Sequence, residues 1–151
     1  MTGSSQKQIP TNCQLDGVLE DGKHDYHLRV QYEDTDAGGI VYHAQYLAFA
    51  ERARSAWLRC LDIDQPRLLL QEKQAFVVRH MDIDFLQVAA LGDVLGVASE
   101  VAKIGGARVT LRQTVTNVRL CLIVARLVVE IGFVNLKSAG AAHAFRMPLD
   151  I

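Results

Sequence analysis

The spacing of apolar residues changes once in the first half of the chain, and this change predicts a strand followed by a helix. Leu28, Val30 and Tyr32 alternate with polar residues, which is the period of a half-buried strand. After the Gly38-Gly39 pair, apolar residues recur at steps of three and four, which is the spacing of one helix face. This second series consists of Tyr46, Ala50, Ala53, Trp57 and Leu61. It predicts one long helix of roughly 16 residues.

The pattern becomes that of strands from Ala75 onward, after a shorter helix predicted over residues 65–73. Gly92-Asp93 and Gly105-Gly106 mark turns, and residues 120–134 form a long strand in which alternate residues, Cys121 among them, share one apolar face. Short turns between consecutive strands predict antiparallel pairing. The sequence therefore predicts an α+β domain, in which an antiparallel sheet of about five strands and one long helix cover each other.

Composition agrees with a single domain. The chain has 151 residues, of which 50% are hydrophobic. Residues 1–24 are polar and are predicted to form a disordered tail, which leaves one domain over residues 25–151. The 16 basic and 17 acidic residues give a net charge of −1, which argues against a nucleic-acid-binding protein. The sequence has neither a GxGxxG nor a P-loop motif for nucleotides, and no GxSxG motif for a serine hydrolase.

The cysteines and the N-terminus indicate a cytoplasmic protein. Cys13, Cys60 and Cys121 are odd in number and widely spaced, which argues against a disulfide framework or a zinc site. The N-terminus lacks the apolar region of a secretory signal, and no segment approaches the ~20 apolar residues of a membrane span. We therefore expect a protein of the reducing cytoplasm without a transmembrane segment.

The segment YEDTDAGGIVYHAQY, residues 32–46, concentrates the residues suited to chemistry. Asp36 precedes a glycine turn, and residues 40–43 are expected to carry the free N–H groups of the helix start. A carboxylate beside such donors suits acyl transfer, because the amides can hold a developing oxyanion. Two other interpretations remain open, in which Asp34 or Asp36 only caps the turn, or both join His43 in a metal site. Glu51 is expected to pair with Arg54, and is the alternative catalytic base.

The stretch YEDTDAGGIVYHAQYLAFAERAR is very similar to the signature of the hotdog-fold acyl-CoA thioesterases. The group it resembles most is the Tol-Pal-associated, YbgC-type thioesterases, which are related to 4-hydroxybenzoyl-CoA thioesterase. The later stretch FVVRHMDIDFLQVAALGDVL also resembles this family. The resemblance extends from about His27 to Val134. It implies a hotdog fold, in which the sheet wraps around the long helix, and a homodimer or homotetramer.

The resemblance also implies hydrolysis of an acyl-CoA to a free acid and CoA, without a metal or cofactor. The catalytic carboxylate of the family falls on Asp36, as nucleophile or general base, and the backbone N–H of His43 is the implied carbonyl donor. Val41 and Tyr42 would shape the acyl pocket. Arg79 and Arg108 are candidates for binding the CoA phosphates.

Other functions and carriers remain open at this point. A hotdog dehydratase or hydratase would use His43 and Asp36 on substrate carbons, and a non-catalytic module would bind acyl-CoA or acyl carrier protein without turnover. An acyl carrier protein could also present the acyl group to a thioesterase. The length and aromatic character of that group cannot be predicted from periodicity.

Overall fold

A computed structural model describes residues 15–137 and 143–144. The strands within these residues are β1 (Val18–Glu20), β2 (Lys23–Arg29), β3 (Gln74–Phe85), β4 (Val94–Ile104), β5 (Arg108–Asn117), β6 (Leu122–Asn135) and β7 (His143–Ala144). The long helix is α1 (Gln45–Cys60), and the short helix α2 (Gln65–Arg67) continues as a π-turn over Leu68–Glu72. Both helices lie where the sequence predicted them.

The strands form one antiparallel sheet in the order β1-β2-β4-β5-β6-β3, with β7 pairing to the end of β6. The five predicted strands correspond to β2–β6, and the short strands β1 and β7 were not predicted. Consecutive strands β4, β5 and β6 are joined by hairpins, as the short turns indicated. Strand β3 pairs only with β6 among the described residues, so it forms one edge of the sheet.

Helix α1 packs across the inner face of this sheet. Its core-facing positions include Phe49, Ala50 and Ala53, all fully buried. They lie among the inward residues of the strands, including Leu95, Val97, Val115, Leu127 and Val129. Alanine on the helix lets its backbone approach the sheet closely, and each large apolar side chain buried there contributes about 1.5–3 kcal/mol. This packing fixes the position of the helix start, where the candidate chemistry lies.

The predicted strand over residues 120–134 is partly wrong at its beginning. Strand β6 begins at Leu122, and Cys121 lies in the preceding turn with a positive φ of 53° and an exposed side chain. The β5–β6 pairing shifts register between Val115 and Thr116, so that consecutive residues Val124 and Ala125 are both buried. A simple alternation cannot reveal such a bulge, because one extra residue moves the following side chains to the other face.

The predicted tail also requires a correction, although residues 1–14 lie outside the described part of the chain. Strands β1 and β2 form a hairpin over residues that the polar composition had assigned to disorder. Gly17 has a φ of +79°, and a Cβ there would lie 2.1 Å from the carbonyl oxygen of Asp25. The backbones therefore approach so closely that only glycine fits at this position.

His24 and Asp16 attach this hairpin to the second half of α1, and both are buried. The Nε2–H of His24 donates to the carbonyl oxygen of Asp16 at 2.6 Å, and its ring stacks on Trp57 with centroids 6.1 Å apart. The carboxylate of Asp16 accepts a hydrogen bond from Arg59 at 2.6 Å. The Nδ1 atom of His24 is buried and has no hydrogen-bond partner within the part of the chain that the structure describes. Burial lowers the pKa of His24, because a second ring proton would need an acceptor there.

We expect the protein to lose stability in mild acid through His24. The folded-state pKa lies below 6.5, so at falling pH the unfolded chain takes up a proton that the folded chain excludes. The free energy of unfolding should therefore fall as the pH drops below 6.5, by up to about 1.4 kcal/mol per pH unit. Urea unfolding at pH 7.5, 6.5 and 5.5 measures this slope. His24→Gln should flatten it, whereas the same change at exposed His27 should not; equal slopes for all three proteins would contradict the assignment.

Candidate active site

Asp34 organises the loop between β2 and α1. Strand β2 ends at Arg29, and Tyr32–Asp34 form a 3₁₀ turn, so Tyr32 is exposed rather than part of the strand as predicted. The buried carboxylate of Asp34 accepts the backbone N–H of Gln31 at 2.7 Å and the side-chain amide of Gln45 at 3.3 Å. Its backbone carbonyl accepts the N–H of Tyr42 at 2.9 Å. Asp34 therefore connects both ends of the loop to the helix start.

Asp36, two residues after Asp34, lies in a different environment. Its side chain is exposed, and Oδ1 accepts the N–H of Gly38 at 2.8 Å. Its backbone carbonyl accepts the N–H of Gly39, and its own N–H donates to Ile40, so the turn is closed by backbone bonds. Gly39 has a φ of +76°, which a residue with a side chain rarely adopts. The second carboxylate oxygen, Oδ2, has no hydrogen-bond partner among the described residues and is left available for a ligand.

The set of free amides at the helix start is smaller than the sequence predicted. The N–H of Val41 donates to Ala89 at 2.8 Å, and that of Tyr42 donates to Asp34. Helix α1 begins only at Gln45, whose N–H donates to Tyr42. The N–H groups of His43 and Ala44 have no acceptor in the described part of the chain. Since they directly precede the helix, the positive end of its dipole supports a polarised oxygen bound to them.

Aromatic side chains surround His43. Its ring lies 4.4 Å from that of Tyr42 and meets Phe85, at the end of β3, edge-on at 6.3 Å. Phe85 also contacts the ring of Tyr46 at 5.7 Å, and burial raises the pKa of Tyr46 above its usual value. The contribution of Phe85 and Tyr46 to this site was not predicted from the sequence. Tyr46 was placed on the apolar face of the helix by its spacing, but no pattern within one element predicts a contact between two elements.

The other predicted binding residues are distributed over two places. Val41 is buried in the core behind the site, whereas Tyr42 is half exposed beside His43. Arg79 and Arg108 both approach the carboxylate of Glu130, at 3.9 and 3.4 Å. These two arginines belong to the face of the sheet opposite α1, where Glu130 alternates with buried neighbours. The two arginines therefore lie near each other. Among the described residues, neither contacts the Asp36 turn.

A polar network lies on α1, more than two helix turns beyond His43. The guanidinium of Arg54 pairs with Glu51, as predicted, and donates to Gln113 at 2.8 Å. The side-chain amide of Gln113 donates in turn to Ser99 and to the carbonyl of Ala50, each at 3.0 Å. Glu51 and Arg54 line a small cleft of about 50 Å³, whose apolar wall includes Trp57 and Phe76. Asp36 and His43 do not line this cleft.

Within residues 15–137 and 143–144, no three side chains of His, Cys, Asp or Glu are grouped so that they could hold a metal ion. No helix in this range is both long enough and apolar enough to cross a membrane.

The known proteins that this chain resembles are described as thioesterases or thioester hydrolases. The sequence profile of the thioesterase superfamily matches residues 38–120, which begin two positions after Asp36. The chain is 42% identical over 119 residues to the acyl-CoA thioesterase YbgC of Haemophilus influenzae, covering 79% of this chain and 85% of that one. It is 43% identical over 96 residues to an acyl-CoA thioester hydrolase YbgC of Escherichia coli, covering 64% and 71%. The crystal structure of a probable thioesterase from Bartonella henselae matches with a TM-score of 0.75 and 35% identity, covering 83% and 99%.

The two aspartates of the loop should respond differently to substitution. Asp34→Ala removes a buried acceptor of two hydrogen bonds, so the free energy of unfolding should fall by about 1–3 kcal/mol. Asp36→Asn changes an exposed group that accepts one local bond, so the change should remain within about 0.5 kcal/mol. Urea unfolding of both variants measures the difference. Equal losses of stability would show that Asp36 is a structural residue.

Proposed function

The chain belongs to the thioesterase superfamily and is a thioester hydrolase of hotdog fold, and we propose that it hydrolyses acyl-CoA to a free carboxylic acid and CoA with Asp36 as the catalytic carboxylate. The acyl-CoA substrate is supported by the relatives from Haemophilus influenzae and Escherichia coli, which are named for this activity. The role of Asp36 rests on one observation. Its Oδ2 atom, which has no hydrogen-bond partner among the described residues, belongs to a hydrogen-bonded turn that precedes His43 by seven positions. The N–H of His43, next to the start of α1, has no acceptor in the same part of the chain.

The proposed reaction uses this geometry as follows. The thioester carbonyl oxygen accepts the backbone N–H of His43, and the dipole of α1 stabilises the negative charge that develops on it. Asp36 either adds to the carbonyl carbon itself or removes a proton from a water molecule that adds. The carbon–sulfur bond then breaks, and the CoA thiolate leaves and takes up a proton. In the first route, water subsequently cleaves the acyl-enzyme anhydride and releases the acid.

The contacts to substrate follow from the same arrangement. Tyr42 and Phe85 present aromatic surface beside His43 for the acyl group, and buried Val41 supports Tyr42 from the core. Arg79 and Arg108 are proposed to bind CoA phosphates. Both arginines share the single carboxylate of Glu130, so these three side chains together carry one net positive charge.

The test of the proposal is thiol release from a panel of short, long and aromatic acyl-CoAs. Wild-type protein should release free CoA, and Asp36→Asn should lower kcat by about 10²–10⁴-fold, the usual contribution of a positioned acid or base. Asp21→Asn is the matched control, because Asp21 is another exposed aspartate in a glycine-containing turn. It should retain full activity.

Three outcomes would contradict the proposal in different ways. An absence of thiol release by the wild type would exclude acyl-CoA hydrolysis and favour a binding module or a carrier-protein substrate. An enoyl product without thiol release would indicate a dehydratase. Full activity of Asp36→Asn would leave hydrolysis intact but would transfer the catalytic role to another group, of which Glu51 is the first candidate.

The working unit is proposed to be a cytoplasmic homodimer formed through the β3 edge. Strand β3 has 12 residues, and its outer hydrogen-bonding edge has no partner strand in the described part of the chain. Val77, Val78 and Phe85 expose between 37 and 51% of their surface on this strand. A second copy pairing antiparallel to β3 would continue the sheet and cover these side chains.

Val78→Lys should prevent this association. A lysine in the middle of the edge would be buried against its own symmetry mate, which is unfavourable for two like charges. Sedimentation velocity should change from a dimer to a monomer, and the same experiment would detect a tetramer of the wild type. Val18→Lys, on the opposite edge strand β1, is the control and should keep the oligomeric state. A wild-type monomer would refute the proposed unit.

A further inference from the structure

The loop between β3 and β4, residues 86–93, forms one wall of the Asp36 turn. Two contacts join the middle of this loop to the second half of the turn. The N–H of Val41 donates to the carbonyl oxygen of Ala89 at 2.8 Å, and Ile40 forms a β-bridge with Ala90. The position of the turn therefore depends on what holds this loop in place.

Tyr46, the second residue of α1, holds the middle of the loop from the helix side. Its side chain and Ala89 are both buried, and the backbone N–H of Ala89 donates a hydrogen bond to the Tyr46 hydroxyl. Burial raises the pKa of this phenol, so the hydroxyl stays protonated at neutral pH. The ring contacts Phe49 at 6.0 Å and Phe85 at 5.7 Å, so the core and the end of β3 set its orientation.

Ala89 connects two parts of the candidate active site through its own backbone. Its N–H meets the hydroxyl of Tyr46, and its carbonyl oxygen accepts the N–H of Val41. The chain from Val41 to Tyr46 and the two hydrogen bonds of Ala89 therefore form a closed ring. His43, whose N–H is the proposed donor to the thioester carbonyl, lies within this ring. A change at the Tyr46 hydroxyl opens the ring at one point.

Other hydrogen bonds hold the two ends of the loop against the sheet. At its start, the N–H of Leu86 donates to the carbonyl oxygen of Val124 at 2.9 Å. At its end, the carboxylate of Asp93 accepts the side-chain amide of Asn117 at 3.0 Å. Because these bonds do not involve Tyr46, loss of its hydroxyl should loosen the middle of the loop without detaching the ends.

We propose that Tyr46 is a positioning residue for thioester hydrolysis: acting through Ala89, its hydroxyl fixes the carboxylate of Asp36 relative to the N–H of His43. This role rests on the proposed function, in which the carboxylate attacks or activates water while the N–H binds the carbonyl oxygen. The two groups act on the same carbonyl, so their relative position matters more in the transition state than in the bound substrate.

Tyr46→Phe tests the proposal, because it removes the hydroxyl and keeps the ring. For acyl-CoA hydrolysis, kcat should fall about tenfold with little change in KM, since a small displacement of a reacting group affects the transition state. In the Asp36→Asn background the same substitution should lower the remaining activity no further, because its effect requires the Asp36 carboxylate. A loss of folded protein alone would lower activity by the same factor in both backgrounds.

Hydrogen exchange of the backbone amides gives a readout that does not depend on turnover. In Tyr46→Phe the amide of Val41 should exchange about fivefold faster, the equivalent of one net hydrogen bond, because its acceptor Ala89 is held less firmly. The amides of β5 should exchange as they do in the wild type. Unchanged exchange at Val41 would overturn the connection through Ala89.

Tyr26→Phe is the matched control, since Tyr26 is another partly buried tyrosine, packed against the core on β2 and paired with Val97. It should keep the wild-type kcat. An unchanged kcat in Tyr46→Phe, an equal fall in both Asp36 backgrounds, or the same fall in the control would overturn the positioning role. Full activity of Asp36→Asn alone would overturn the catalytic assignment, and absence of thiol release by the wild type would overturn the enzymatic proposal. Neither of these two results involves Tyr46, so the failures are distinguishable.

Discussion

The burial of one helix in one sheet is the constraint on which the rest of the structure depends. The sheet has one apolar face, and α1 covers it with both small and aromatic side chains: Phe49, Ala50, Ala53 and Trp57. The alanines permit close approach, and the aromatic residues fill the space towards the ends of the helix. Because the sheet sets the height and direction of α1, it also sets where the helix begins. The position of the Asp36 turn is a consequence of core packing as much as of its own hydrogen bonds.

The polar groups in this core are compatible with it because they satisfy one another. Arg54 faces the sheet from α1, but its guanidinium meets Gln113 and Glu51, and Gln113 is bound further by Ser99 and a helix carbonyl. A buried arginine without such partners would be very costly. The two aspartates of the loop differ in how far their hydrogen-bonding capacity is satisfied. Both carboxylate oxygens of Asp34 accept hydrogen bonds, whereas one oxygen of Asp36 has no partner among the described residues. This difference fits the structural role of Asp34 and the catalytic role proposed for Asp36.

The sequence predicted the elements well and their contacts less well. The three- and four-residue spacing located α1 within one residue, and the glycine pairs located the hairpins, because both signals are local. The motif around Asp36 also indicated the family that the comparisons identify. Strand β1 and the start of β2 were missed because their burial depends on His24 meeting Trp57, 33 positions away in the sequence. Phe85 beside His43 and the bulge near Val124 were missed for the same reason, since each is set by pairing between distant strands.

The β3 edge would also limit the number of copies in the proposed dimer. An exposed strand edge can pair with another chain, and repeated pairing of this kind leads to fibres. Here the edge carries charged residues at Arg79, Asp82 and Asp84 and a bulge after Val78, which interrupt its apolar side chains. In the proposed dimer the two β3 edges cover each other, and the other edge of each sheet is the three-residue strand β1, which is too short to extend the sheet readily. The proposed assembly would therefore stop at a closed pair, and dilution below its dissociation constant would expose the β3 edges again.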